Sequence, residues 1–259
     1  MKKRTIIDGG AVCYEIEHPC ARRADPPKVR AARQKATSQA QRIRNRILST
    51  RQLELLLAVN FPTPGSGIVA TLTYDEKHLP RSRKEAQRRF KYFLKKLRDA
   101  RKAAGLPEPR VVYCPEALSA ASGRWHHHLV VDATGDDFAM LRCCWPYGGE
   151  LDFRKLRVDE EKNHETQARY MSKEAREAQE YECRVGLHVW GCTRSCYRPT
   201  VETVYVEDRA RLTPPRGATV LLFERKSTEL AEVTVLKYRL PARCFRRPGR
   251  ARRRRGARR

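Results

Sequence analysis

The run Arg124-Trp125-His126-His127-His128-Leu129-Val130-Val131-Asp132 limits the fold more than any other stretch of the chain. Its apolar, β-branched second half predicts a short β-strand. Side chains on a strand alternate between the two faces. His126, His128, Val130 and Asp132 therefore share one face, and Trp125, His127, Leu129 and Val131 share the other. The second set is expected in the core, with His127 turned inward as its odd member. The first set puts two imidazoles side by side at i and i+2. That is the spacing of a metal-ligand pair, and equally of a plain polar strand edge.

The flanking sequence supplies a sheet for this strand. Ile68 to Tyr74 alternates and is β-branched, which predicts a strand. Ser82-Arg83-Lys84-Glu85 is a capping box. Phe90, Phe93, Leu94 and Leu97 follow at helical spacing, and Gly105 with Pro107 stops the helix. Arg110 to Glu116 predicts a second strand, joined by the small-residue loop Ala117 to Gly123 to the histidine strand. Asp136 and Asp137 can cap a short helix carrying Phe138, Leu141 and Trp145. Leu151, Phe153 and Leu156 suggest a fourth strand. A helix is expected over about 159–178, with Asp159, Glu160 and Glu161 in its first turn. The order strand, helix, strand, strand, helix, strand predicts an α+β, ferredoxin-like (RRM-like) unit: an antiparallel sheet with helices on one face and the other face available for a site.

Charge points to the partner. Lys and Arg number 55 against 30 Asp and Glu, a net charge of +25. A polyanion is the expected ligand, because neutralising phosphates releases condensed counterions. Basic side chains cluster in a lead-in at 26–60, including Arg42 and Arg46, and on the outer face of the helix after Ser82, where Arg88, Arg89, Lys95 and Lys96 stand. Each cluster is a candidate nucleic-acid contact or a solvated helix face. Residues 243–259 hold ten arginines in 17 positions with Gly and Pro, a composition that predicts disorder. No apolar run approaches the ~20 residues that span a bilayer, and the N-terminus has no apolar signal segment, so a cytoplasmic location and no membrane partner are expected. The nine cysteines show no paired CxxC spacing, which fits reduced thiols better than a zinc-stabilised structural protein.

Two further residues complete a constellation. If Glu116 lies opposite His126 across the hairpin, Cys114 lies opposite His128, and Glu116, His126 and His128 converge. A register slip of one residue removes Glu116 from that face. Two imidazoles and a carboxylate leave positions open for a phosphate oxygen on a divalent ion. Tyr170 and Lys173, at i and i+3, neighbour each other on a helix. A tyrosine beside a cation and a metal is a possible nucleophile, though Tyr-x-x-Lys alone is common on amphipathic helices.

Together these stretches resemble the HUH endonucleases, specifically the rolling-circle replication initiators of phages, plasmids and related mobile elements. Ile68 to Tyr74 resembles the family's first motif, and Gly123 to Val131 its histidine–hydrophobic–histidine motif, with ligands at His126 and His128. Ala168-Arg169-Tyr170-Met171-Ser172-Lys173 resembles its tyrosine motif. The family's upstream acidic ligand would fall on Glu116. The likeness covers about residues 60–180. It departs at His127, where the family has a bulky apolar residue, and at Glu174, where related families carry a second tyrosine. Tyr181 lies 11 residues on, about 16 Å along a helix, too far to share the metal, so a single-tyrosine enzyme is expected.

The resemblance implies a metal-dependent, site-specific endonuclease of single-stranded DNA that uses Mg2+ or Mn2+. Tyr170 would attack a phosphodiester at a replication origin, giving a 5′-phosphotyrosine and a free 3′-OH, with Lys173 orienting the phosphate. Host helicase and polymerase would be further partners, in a bacterial cytoplasm. The same motifs suit a single-tyrosine transposase or relaxase. A non-catalytic RNA- or DNA-binding module would share the sheet but form no adduct. The expected divisions are a basic arm and helix (1–60), the nuclease domain (61–180), a β-rich extension (181–241) and the Arg-rich tail (242–259).

Overall fold

The computed structural model describes residues 1–20, 39–118, 124–148, 151–159, 163–181, 189–227 and 232–245. The chain opens with two strands, β1 (Lys2–Asp8) and β2 (Val12–Pro19), followed by α1 (Gln39–Asn60). Next come β3 (Gly67–Leu72), α2 (Arg83–Ala103), β4 (Val111–Leu118), β5 (Trp125–Asp132), α3 (Asp137–Cys144), β6 (Leu151–Lys155) and α4 (Glu165–Tyr181). A two-residue strand, β7 (Gly191–Cys192), precedes β8 (Thr200–Val206), β9 (Thr219–Ser227) and β10 (Glu232–Arg239). Every strand pairing among the described residues is antiparallel, in two five-stranded sheets. The architecture is α+β.

The chain divides into two compact units, one spanning Asn60–Glu160 and His164–Cys196, the other built from both ends of the chain. The first holds the sheet β6-β3-β5-β4-β7. Without the short edge strand β7, this is the strand order of a ferredoxin-like unit. Phe90, Phe93 and Leu97 of α2, with Leu141 and Cys144 of α3, bury one face together with Ala70, Leu72, Leu129 and Val131. The Ser82 side chain accepts from the Glu85 amide at 3.3 Å, and Gly105 takes a φ of 68° just past the helix. The far end of β5 is tied to α2 by charge: Arg101, 1% exposed, reaches Asp132 at 2.7 Å and Asp137 at 3.3 Å.

Helix α4 packs against β4 and contributes a ring contact to His128, so it lies over the opposite face of the sheet from α2 and α3. It starts at Glu165, not near residue 159 as the acidic run suggested. Asn163 has a φ of 56°, a left-handed conformation that an α-helix cannot pass through. Acidic residue Glu165 takes the first-turn place instead.

The second unit joins sequence-distant strands in the order β8-β1-β2-β10-β9. No element was expected over residues 1–25, yet Lys2–Pro19 forms a hairpin. Leu55 and Ala58 of α1 pack on Val12, Tyr14 and Val235. Gly9 permits a close approach, since a Cβ there would stand 2.7 Å from Leu55 Cδ2 and from the Val12 carbonyl. Inside this unit, Glu54 accepts from the Tyr14 hydroxyl at 2.8 Å and pairs with Lys237 at 2.6 Å. The strands expected from Thr200, Thr219 and about Leu230 are β8, β9 and β10. Most of the one expected at 184–190 and nearly all of the Arg-rich tail lie outside the described residues.

Candidate active site

Strand β5 presents its two faces as the alternation requires. His127 is fully buried, stacks on Phe90 at 4.8 Å between centroids, and meets Trp145 edge-on. Its Nε2 is 2.7 Å from the Tyr74 hydroxyl. This imidazole is part of the core. His126 and His128 face the other way, 8% and 4% exposed, with ring centroids 4.8 Å apart. Their neighbour on β3 is Thr71, which pairs directly with His128. Thr71 Oγ1 lies 3.2 Å from His128 Nδ1. A hydrogen bond at Nδ1 fixes the ring's rotation and directs Nε2 toward any incoming group.

Across β4 the expected register holds on one side only. Cys114 does oppose His128, but Ala117, not Glu116, opposes His126. A bulge between Cys114 and Ala117 takes up the extra residue. Pro115 lies in it; a proline has no N–H for the ladder and favours bulges. The Glu116 backbone therefore belongs to the strand beside the histidines in a shifted register, and its side chain lies outside the described residues. Among the described residues, no three His, Cys, Asp or Glu side chains are grouped to hold a metal ion.

Helix α4 brings Tyr170 to the histidines. Ala168, Met171 and Ser172 are buried, and Ser172 Oγ donates to the Ala168 carbonyl at 2.7 Å. Those contacts seat the helix and leave Tyr170 half-exposed at 47%. The Tyr170 ring meets His128 at 5.3 Å between centroids. Lys173 is exposed on the same helix. The guanidinium of Arg154, from β6, stands 5.2 Å from the Tyr170 ring centre.

The basic candidates divide. Arg46, Arg88 and Lys95 are exposed, and half-buried Lys96 lies over the Tyr92 ring at 5.3 Å. Arg88 stands 4.0 Å from Glu85 with its side chain 80% exposed. Arg89 is committed to the protein: it pairs with Glu85 at 2.7 Å, donates to the His78 carbonyl and covers the Tyr147 ring at 4.9 Å. The Arg42 side chain lies outside the described residues. Sequence reasoning missed Thr71 and Arg154. Both can be found only from strand register, since Asp152 pairs with Thr71 and Arg154 with Val69 across β6 and β3.

One comparison bears on this face. Residues 67–178 match a family model described as replication-associated protein, of the ORF2 type. The match runs from the start of β3 into α4, and so contains His126, His128, Arg154 and Tyr170. It supports a replication initiator role. No curated protein and no solved structure matches the chain. Among the described residues, no helix is long and apolar enough to cross a membrane.

Proposed function

We propose that this chain is a metal-dependent, site-specific endonuclease of single-stranded DNA that initiates rolling-circle replication. The observation that carries the reading is the placement of Tyr170. It is held against His128 on the histidine face, yet 47% exposed, within the segment that matches a replication-associated family.

The donor set suits a divalent cation. Two imidazoles stand together on one face, and the Glu116 backbone runs in the adjacent strand. His126 and His128, with Glu116 as the carboxylate, would hold Mg2+ or Mn2+. Such an ion, when bound, polarises a phosphoryl oxygen and stabilises charge that develops there. The chain's own residues do the rest. Thr71 holds the His128 ring in place. Buried Ala168 and Met171 fix α4, so Tyr170 presents its hydroxyl at one point. The phenolic oxygen forms a bond to phosphorus while the P–O3′ bond breaks. The phenolic proton passes to water, which reaches this half-exposed side chain, and the departing 3′-oxygen takes a proton from solvent. The products are a 5′-phosphotyrosine and a free 3′-OH that can prime synthesis. Exposed Arg46, Arg88 and Lys95, with half-buried Lys96, would hold the DNA backbone in a chain of net charge +25.

The test is a covalent adduct. The full chain is incubated with Mn2+ and a randomised pool of single-stranded DNA, then resolved on a denaturing gel. A slow-migrating protein–DNA species is expected, lost with chelator and lost in Tyr170→Phe. Binding without chelator-sensitive cleavage, or an adduct that survives Tyr170→Phe, contradicts the proposal. The first of those outcomes is the one a non-catalytic binding module gives.

A further inference from the structure

Arg154 lies on the edge strand β6, away from every motif the sequence singles out. It pairs with Val69, and Asp152 pairs with Thr71. Thr71 in turn pairs with His128, and Val69 with Val130. Directly paired residues share a face, so Arg154 projects from the same face as His126 and His128. Its side chain is exposed, and its guanidinium carbon lies 5.2 Å from the Tyr170 ring centre. Among the described residues its charge meets that ring and no carboxylate.

We propose that Arg154 is a phosphate-holding residue of this site, binding the non-bridging oxygens of the phosphodiester that Tyr170 attacks. The inference rests on the nuclease reading above and adds a substrate contact to it. A guanidinium offers a planar fork of donors that matches two phosphate oxygens, and it stays charged at any working pH. Edge-strand placement leaves the fork open to solvent, where a DNA strand can enter. Contact with the Tyr170 ring sets the distance: a phosphate gripped by the fork lies beside the ring that carries the nucleophile. Lys173 reaches the same region from α4, but as a point charge on a flexible stem. Arg154 is therefore the cation that orients the phosphate, and Lys173 adds general positive potential.

The experiment uses the full chain and one cleaved oligonucleotide recovered from the randomised pool. Arg154→Ala, Arg154→Lys and Tyr170→Phe are compared in single-turnover cleavage and in DNA binding by anisotropy. Arg154→Ala is expected to lower the cleavage rate at saturating DNA by about 100-fold, the scale of losing one charge-stabilising donor. Its DNA affinity stays near that of the parent, and added guanidinium ion restores part of the rate. Arg154→Lys falls between the two. A residue that merely packed on Tyr170 would show no rescue by guanidinium. Should Arg154→Ala not fold, the rate gap between Arg154→Lys and the parent decides. A Tyr170-dependent adduct formed equally well without Arg154 overturns this inference alone. No adduct from the parent chain overturns both this inference and the nuclease reading.

Discussion

The ring of Tyr170 meets the imidazole of His128 with 5.3 Å between centroids, at an interplanar angle of 60°. One residue comes from a helix and the other from a central strand, on the opposite side of the sheet from α2. Their meeting requires the alternation of β5, which turns His128 away from the main core. It also requires the buried Ala168 and Met171, which seat α4. A nucleophile and a ligand pair are thus brought together by packing on both faces of one sheet.

His127 should behave as a core residue. Its Nε2 stands 2.7 Å from the Tyr74 hydroxyl, and its ring stacks on Phe90. His127→Leu removes that hydrogen bond in a buried setting, at an expected cost of about 1–3 kcal/mol. Denaturant melts should show the loss, and the same melts on Tyr74→Phe and on the double variant should show that the two changes are not additive. Adduct yield per folded molecule stays at the parent level. A loss of metal dependence with normal stability would place His127 in the site.

The ion cluster at the end of β5 should govern acid stability. Burial raises the Asp137 carboxyl's pKa, but hydrogen bonds from the Thr134 hydroxyl and the Thr134 and Gly135 amides, with the Arg101 charge, outweigh it and hold the value below the ordinary 3.8. A carboxylate with a lowered folded-state pKa adds stability that is fully present above 3.8 and is lost as pH falls through the folded value. Thr134→Ala should therefore be less stable than the parent at neutral pH, with the gap closing below about pH 4. Arg101→Met leaves Asp132 and Asp137 buried without their shared cation, an expected loss of about 3–5 kcal/mol. Urea titrations at several pH values check both outcomes.

The β5 alternation, the α2 caps and the order of the first sheet were legible in the sequence because each is local. Period two in Trp125–Asp132, Ser82 before the helix and Gly105 after it need no distant partner. The N-terminal hairpin was not legible for the opposite reason. β1 and β2 are rich in charge, and Arg4 donates to Glu17 at 2.7 Å across the pair. Their burial depends on β8 and β10, which lie some two hundred positions later. The site divides the same way. His126, His128 and Tyr170 stand on motifs, whereas the bulge that displaces Glu116 and the register that aims Arg154 are properties of strand pairs. Arg89 shows a further limit, since nothing in its spacing distinguishes it from Arg88, yet of the two only Arg88 is open to solvent.

That difference between neighbouring arginines should appear in salt dependence. Arg88→Ala and Lys95→Ala each remove a solvent-exposed cation. If each touches one phosphate of single-stranded DNA, the slope of log K against log salt falls by about 0.7. Arg89→Ala should leave that slope unchanged and lower the melting temperature instead, because its guanidinium holds Glu85, the His78 carbonyl and the Tyr147 ring. Anisotropy titrations over a salt series, paired with thermal melts, separate the two behaviours.

The central claim is that the Tyr170 oxygen becomes bonded to DNA. The direct measurement is mass spectrometry of the adduct after exhaustive nuclease and trypsin digestion. Cleavage after Arg169 and after Lys173 releases the peptide Tyr170-Met171-Ser172-Lys173. Attack by Tyr170 predicts that this peptide carries the residual nucleotide mass through a phosphate on the tyrosine, and that the partner fragment of DNA ends in a 3′-OH. An unmodified Tyr170 peptide, with the nucleotide on another residue or a 3′-phosphate on the DNA, would contradict it.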